Sequence, residues 1–275
     1  MLSNCDVNIY NQISFGSYGY INKIKIKNNK NDYIVKTPID TDDTYTNVKE
    51  ILLLNNLNHP HIITIENVIC IDKNFHYITK FYPNVLTNLK GTLTNDLCKK
   101  LIWQMTNALH YLHIFNMVHC DVKDSNILYD NDYNFVLIDF GITNRLKNSV
   151  YETTPNYTTY KDVDTDFKCD FNNLACTIIY LLTHIRIETN EKMDTKKILN
   201  IIGLDGVNLL KQMLNGITSL QIFNHKYFNQ YTKSINFQPI KILPTIKLTS
   251  TFELNDKMYD IILSTLIRIA YEDQV

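Results

Sequence analysis

Three residues in one short segment have the types and spacing to move a phosphoryl group: Asp121, Lys123 and Asn126, within His119-Cys120-Asp121-Val122-Lys123-Asp124-Ser125-Asn126. A carboxylate can orient an attacking hydroxyl and accept its proton. A lysine two residues on can stabilise the group in transfer, and an asparagine five residues on can ligate a divalent cation. Downstream, the apolar strand of Ile138-Asp139-Phe140-Gly141 ends in a second carboxylate and a glycine. That carboxylate suits a hard, oxygen-seeking cation such as Mg2+. Two weaker signals precede these. Ile13-Ser14-Phe15-Gly16-Ser17-Tyr18-Gly19-Tyr20-Ile21 is a glycine-containing turn in which backbone N–H groups can approach phosphate oxygens. Lys36, in a short β-branched strand, is followed by Glu50 at helical spacing. Taken singly, the first is an ordinary turn and the second a surface lysine and a helix glutamate. Their order, ahead of the Asp121 segment, gives them weight.

These residues need elements to hold them. Val7 to Ser14 and Tyr20 to Lys27 alternate in polarity around the glycine turn and predict a hairpin. Tyr33 to Lys36, Val68 to Asp72 and His76 to Phe81 read as further strands, and Asn47 to Leu57 as a helix stopped at His59-Pro60. Thr94 to His113 is a long amphipathic helix with Leu97, Leu101, Met105, Leu109 and Leu112 on one side. Phe171 to Leu182 is apolar all round and predicts a buried helix, with shorter helices at Val207 to Leu214 and Ser219 to Phe223. The expected architecture is α+β and bilobal: a small antiparallel β-rich lobe over 1–82, a larger mainly helical lobe over 83–228, and an appendage over 229–275.

Composition excludes several classes. The 275 residues are 45% hydrophobic with a formal net charge of −1, so the chain can bury a core and has no basic excess pointing to nucleic acid. No apolar run approaches the ~20 residues that span a bilayer, and the first ten residues lack the pattern of a signal peptide. The six cysteines are scattered without metal-ligand spacing, which fits free thiols in a reducing compartment, cytoplasmic or nuclear. Arginine occurs only at 145, 186 and 268, whereas Asn, Ile, Lys and Tyr abound. That bias follows AT-rich codons and fits an AT-rich parasite or a large DNA virus.

From Ile13 to Phe228 the sequence resembles the protein kinase superfamily. The resemblance implies ATP and Mg2+ as cofactors, with Asp121 as catalytic base, Lys123 at the γ-phosphate, and Asn126 and Asp139 on the metal. Lys36 would meet the α/β-phosphates and pair with Glu50, on the helix named αC in that family. Nucleotide contacts are implied for Ser14, Gly16, Gly19, Ile21, Ile34, Lys36, Thr79, Lys80, Tyr82 and Leu128. Of these, Thr79 is the gatekeeper, and Lys80-Phe81-Tyr82 is the hinge whose backbone bonds adenine. Leu54, Ile65, His119 and Phe140 would stack as a spine anchored by Asp170. Lys123 and the Thr153-Thr154-Pro155-Asn156-Tyr157 loop resemble serine/threonine rather than tyrosine kinases, with Thr154 bridging Asp121 and Lys123.

The pattern also breaks. Ser14 replaces a loop glycine, and Ile34 replaces the alanine that roofs adenine. Cys120 replaces the arginine that receives an activation-loop phosphate in the family. Activity independent of such phosphorylation is therefore expected. Lys161 and Gly216 stand where the family has a glutamate and its arginine partner; their joint loss leaves no unpaired buried charge. Asp162, Asp164, Asp166 and Asp170, with Asp124 and Asp130, are either a cluster steering basic protein substrates or a solvated acidic loop plus one structural aspartate, Asp170. Met258, Ile261, Ile262, Leu263, Leu266 and Ile269 predict an amphipathic helix that packs on its own domain or serves a homodimer. Two other readings stay open: a pseudokinase scaffold that binds nucleotide without transfer, and a small-molecule phosphotransferase. The residue bias, compact helical lobe and Cys120 also look like protein kinase 1 of baculoviruses, implying an Arg-rich DNA-packaging substrate in a host cell; a protozoan kinase is the rival. No direct nucleic-acid or membrane partner is expected.

Overall fold

The computed structural model describes residues 7–16, 19–26, 29–37, 44–71, 74–145, 167–187, 193–229 and 231. The Thr153–Tyr157 loop, Lys161, Asp162, Asp164, Asp166 and the helix expected over 258–269 lie outside these. The described residues form two compact units, one ending at Phe81 and the other beginning at Tyr82. The boundary thus falls one residue earlier than the sequence suggested, and His59–Ile62 also belongs to the second unit.

The first unit is a five-stranded antiparallel sheet with one helix. Its elements are β1 (Val7–Gly16), β2 (Gly19–Ile26), β3 (Asp32–Thr37), α1 (Thr44–Asn56), β4 (Ile65–Ile71) and β5 (Asn74–Lys80), and the strands lie in the order β1-β2-β3-β5-β4. The β1–β2 hairpin pairs Gly16 with Gly19, and its register shifts between Gln12 and Ser14. In β3 the alternation is strict: Tyr33 and Val35 are buried, and with Ile24 and Ile78 they make a core joined by Ile26 and Ile69. Because successive strand residues point to opposite faces, Ile34 and Lys36 lie on the other side. Lys36 pairs across with Ile21 and Tyr77, and Ile34 pairs with Thr79. Directly opposed residues share a face, so Ile21, Ile34, Lys36 and Thr79 are gathered on one side of the sheet.

The second unit is mainly helical. It contains β6 (Asn84–Val85), α2 (Asn95–Ile114), β7 (Met117–Val118), β8 (Ile127–Tyr129), β9 (Phe135–Leu137), β10 (Asn144–Arg145), α3 (Lys168–Thr183), α4 (Thr195–Leu214) and α5 (Ser219–Phe223). The strands make two small sheets, β6-β8-β9 and β10-β7. Thr94 caps α2 by accepting from the Leu97 backbone N–H, which leaves an apolar face from Leu101 to Leu112 buried. α3 is buried along nearly all its length, as a helix without a polar face must be. Trp103 of α2 stacks edge-on against Phe223 and Phe228, tying α2 to α5 and the 3-10 turn at Lys226–Phe228. α4 starts twelve residues before the Val207 start expected for it and is broken at Gly203, whose φ of 70° is non-helical. Periodicity fails to show the piece before Gly203 because only Ile198 and Ile202 are buried there. Among the described residues, no helix is long and apolar enough to cross a membrane.

His59–Ile62 sits with the second unit for a specific reason. The Leu137 backbone N–H donates to the His61 carbonyl at 2.9 Å, His61 Nδ1 bonds the Phe135 carbonyl at 2.9 Å, and Ile62 bridges Leu137. The His59 ring lies 5.0 Å from that of Tyr111 on α2.

Candidate active site

In the first unit, Lys36 Nζ lies 2.7 Å from Glu50 Oε2, and their side chains are 13% and 2% exposed. The pair is shielded enough for Coulomb attraction to act at low dielectric. It ties β3 to α1 and fixes the ammonium on the Ile21, Ile34 and Thr79 face of the sheet. The Thr79 hydroxyl is buried without a hydrogen-bond partner among the described residues. The backbone N–H of Phe81 donates to the Asp32 carbonyl at 3.0 Å. That N–H closes the end of β3, so the hinge candidates are the backbone groups of Lys80 and Tyr82. Ser14 lies opposite Ile21 in the hairpin.

The second unit holds Asp121, Lys123, Asn126, Leu128 and Asp139. Asp121 is buried, and its Oδ2 receives both Asn126 Nδ2 at 2.7 Å and Lys123 Nζ at 2.8 Å. The bridging expected of Thr154 lies outside the described residues, but Asp121 and Lys123 already contact each other. Asn126 Nδ2 also donates to the Asp121 carbonyl at 3.0 Å. The Asn126 side-chain nitrogen is thus committed to Asp121, which leaves its amide oxygen as the metal donor. The Ile138 backbone N–H donates to the Asn126 carbonyl at 2.9 Å, which brings Asp139 alongside Asn126.

Two oxygen donors, one carboxylate and one amide, are a fitting protein contribution for Mg2+, which takes one or two protein ligands and completes its shell with phosphates and water. Among the described residues no cluster of three or more His, Cys, Asp or Glu could hold a metal alone. Leu128 is half-buried on β8, between Val85 and Val136.

The loop carrying Asp121 is held from behind by Asp170, near the start of α3. This carboxylate is fully buried and accepts from the backbone N–H groups of His119 at 2.9 Å and Cys120 at 3.0 Å. His113, near the end of α2, places Nε2 2.9 Å from the same Asp170 Oδ2. Sequence reasoning found Asp170 but missed His113. The available signal was a polar residue continuing the buried Leu109–Leu112 stretch.

His119 has its tautomer set by its neighbours. Nδ1 faces the Asp121 N–H, so it accepts, and Nε2 faces the Ile138 carbonyl, so it donates. Its ring meets Phe140 edge-on at 4.8 Å. Leu54 is buried within α1, and Ile65 begins β4.

Two non-glycine residues here adopt left-handed backbone, Cys120 at φ 68° and Asp139 at φ 64°. Such conformations cost ~1–3 kcal/mol each and persist only where surrounding contacts impose them. Asp170 supplies that for Cys120. The Cys120 side chain is fully buried with Val118 and Cys169, against Ile142 and Phe167. An arginine here would bury its charge in apolar surroundings. Gly216 takes φ 86°, so the arginine absent there would also be strained.

The described members of the acidic run have internal partners. Asp124 is 3% exposed and accepts from Thr87 Oγ1 at 2.9 Å. Asp130 Oδ1 accepts from the backbone N–H groups of Asp132 and Asn134, which closes the turn between β8 and β9. Asp170 anchors the catalytic loop. All three carboxylates thus accept hydrogen bonds from donors of the chain itself.

A β-sheet unit with a paired lysine, followed by a helical unit with an anchored Asp–Lys–Asn loop and a nearby Asp-Phe-Gly, is the arrangement of a protein kinase domain. The chain belongs to the protein kinase domain family, which it matches over residues 7–259. It is similar to the CTD kinase subunit alpha of Saccharomyces cerevisiae, with 27% identity over 230 residues, 72% of this chain and 41% of that protein. It is also similar to serine/threonine-protein kinase SIK2 of Gallus gallus, at 34% over 119 residues, 42% of this chain and 15% of that one. A protein of Acanthamoeba polyphaga mimivirus, whose name places it among serine/threonine-protein kinases and receptors, is 35% identical over 143 residues, 50% of this chain and 9% of that protein. The chain therefore spans less than half the length of each of these relatives.

Proposed function

We propose that the chain is a serine/threonine protein kinase that transfers the γ-phosphoryl group of ATP to a serine or threonine hydroxyl of a protein. The observation that carries this is the Asp121 carboxylate, whose Oδ2 is held by Lys123 and Asn126 in a loop fixed by Asp170. Asp121 orients the substrate hydroxyl and takes its proton as the new P–O bond forms and ADP leaves. Lys123 offsets the charge on the transferring group, and Lys36, held by Glu50, meets the nucleotide phosphates. Asn126 and Asp139 would hold Mg2+, which supplies charge neutralisation at the phosphates when bound. Catalysis of this kind is mostly positioning and electrostatics.

Independence from activation-loop phosphorylation is part of the proposal, and the apolar burial of Cys120 supports it: no cation stands there to receive a phosphate. A basic substrate rests only on Asp162, Asp164 and Asp166, outside the described residues, and an Arg-rich packaging protein rests in addition on a viral origin. Neither is carried into the proposal.

The test is transfer of labelled phosphate from Mg-ATP to serine and threonine peptides by chain made in bacteria and treated with phosphatase. Transfer at a rate unchanged by the phosphatase is expected. Loss of activity after treatment would contradict phosphorylation independence, and Mg-ATP binding without transfer to any peptide would favour the scaffold reading.

A further inference from the structure

At one corner of the first unit a small set of contacts converges on Phe81, and the transfer chemistry leaves them unused. Lys23 of β2 lies opposite Ile34, which in turn lies opposite Thr79, so Lys23 stands on the face of the sheet that carries the nucleotide residues. A lysine there would ordinarily extend its ammonium into water. Instead Lys23 Nζ lies 2.6 Å from Asp32 Oδ2 and 4.0 Å from the centroid of the Phe81 ring. Lys25, next along the same face, approaches Asp32 Oδ1 at 3.8 Å. The hydrogen bond from Lys23 holds the Asp32 carboxyl below the usual carboxylate range, so it stays ionised at neutral pH. The Asp32 carbonyl accepts the Phe81 backbone N–H at 3.0 Å. Phe81 is thus held twice from Asp32, directly through its N–H and through Lys23 on its ring.

Asp32 is itself a fixed point. It begins β3, and the chain just before it is fastened by the Asn29 N–H on the Ile26 carbonyl at 3.0 Å and the Asn31 N–H on Asn29 Oδ1 at 3.0 Å. Asn29 Nδ2 also donates to the Tyr33 hydroxyl at 2.8 Å. Phe81 lies one residue past β5, which ends at Lys80. Strand ends fray at low cost unless something ties them down, and the N–H bond and the ring contact supply that tie. Lys80, a hinge candidate, sits between Thr79 and Phe81. The peptide that joins Lys80 to Phe81 is planar, so whatever fixes Phe81 also fixes the direction of the Lys80 carbonyl. The Lys23 and Asp32 side chains are 30% and 32% exposed, so their ion pair adds little to global stability. Its effect falls on geometry, because a hydrogen bond weakens steeply with misalignment.

We propose that Lys23, bridging Asp32 and the Phe81 ring, is a positioning residue that holds the Lys80 backbone in line for the adenine base and so sets the affinity for ATP. The proposal rests on the kinase reading above and deepens it at the nucleotide end. The competing role for a lysine on this face is direct contact with the ATP phosphates, and Asp32 separates the two. If Lys23 met the phosphates itself, removing the Asp32 charge would free its ammonium and strengthen ATP binding. Acting through Phe81, the same removal loosens the brace and weakens binding.

The experiment measures, on the full chain, the Kd for Mg-ATP by calorimetry, KM and kcat for ATP with a threonine peptide, and inhibition by adenosine, which is uncharged. Lys23→Met should raise the ATP Kd and KM about fivefold, the scale of an exposed ion pair together with a cation–ring contact, with kcat within about twofold. Lys23→Arg should keep the wild-type values, because a guanidinium both pairs with a carboxylate and stacks on a ring. Asp32→Asn should weaken ATP about threefold, and combining it with Lys23→Met should do no more than Lys23→Met alone, as for two residues acting through one contact. Adenosine should lose the same factor as ATP, because the hinge meets the base. Tighter ATP binding in Asp32→Asn overturns the proposal, as does adenosine affinity untouched by Lys23→Met. A Lys23→Met chain with a lower unfolding midpoint but an unchanged ATP Kd shows a structural pair only, and overturns it too. If Lys23→Met does not fold, Phe81→Leu carries the test: an ATP Kd raised about threefold upholds the brace and an unchanged one overturns it. A wild type that binds Mg-ATP and transfers to no peptide ends the transfer reading alone, and the calorimetric comparison still decides the brace. A wild type that binds no Mg-ATP removes both.

Discussion

The two halves of the catalytic set are held in different ways. In the first unit the ion pair of Lys36 with Glu50 connects β3 to α1, and the Lys36 ammonium also lies 5.7 Å from the Tyr77 ring centroid. In the second unit Asp121 sits in a web: Asn126 and Lys123 on its carboxylate, Asp170 on the preceding backbone, His113 on Asp170, and Ile138 on Asn126. Contacts between side chains can break and reform when a strand and a helix shift. A web that includes backbone donors moves only as a block. The difference teaches that Asp121, the proposed base, sits on a loop anchored through backbone N–H groups, whereas Lys36, proposed to meet the nucleotide, is tied to side chains.

The largest effect that would break this comparison is at the hub. Asp170→Ala leaves the His119 and Cys120 N–H groups buried without acceptors. The expected cost is about 3 kcal/mol or more, with phosphoryl transfer lost as well. Denaturant unfolding checks it, and a loss within about 0.5 kcal/mol would show that the web is not what holds the loop. Next comes the Lys36–Glu50 pair. Lys36→Met removes the ammonium 2.7 Å from the buried Glu50 carboxylate, and removing one partner of such a pair costs ~3 kcal/mol. Lys36→Met with Glu50→Gln should recover most of that stability and none of the activity, which separates the structural role of the pair from its chemical one. Thermal unfolding and a transfer assay on both variants give the comparison.

A smaller effect sharpens the account of the His59–Ile62 segment. Burial, aided by the neighbouring His61, pushes His59 down to about 3, against ~6.5 in the unfolded chain. The folded state therefore keeps His59 neutral while the unfolded state takes up a proton as pH falls below ~6.5. Stability is fully present above that pH and declines toward 3, by up to about 1.4 kcal/mol per pH unit. His59→Asn should flatten the slope between pH 6.5 and 4.5. An unchanged slope would place the acid sensitivity elsewhere, with His61, which burial also lowers, as the next candidate.

The chemistry-bearing residues were legible in the sequence because their types and local spacing carry the signal, and the strands and long helices were legible from periodicity. What stayed hidden is long-range. Nothing local in Tyr111-Leu112-His113 says that His113 faces Asp170. Asp124 reads as one more acidic residue until Thr87 is seen beside it, and the Phe81 N–H looks available until Asp32 is seen to take it. Lys23, Asp32 and Phe81 are ordinary residues in isolation and become a brace only when β2, β3 and the end of β5 lie side by side. Cys120 was read by what it lacks; the structure adds what it does, which is to fill an apolar cluster with Val118 and Cys169.

The central proposal is that Asp121 orients the acceptor hydroxyl and takes its proton. Its most direct test is Asp121→Asn, which keeps the shape and the Asn126 and Lys123 neighbours but removes the base. Labelled phosphate transfer to a threonine peptide should fall by about 10²–10⁴-fold, while Mg-ATP binding, read by calorimetry, stays within about threefold of wild type. Transfer at the wild-type rate would contradict the account.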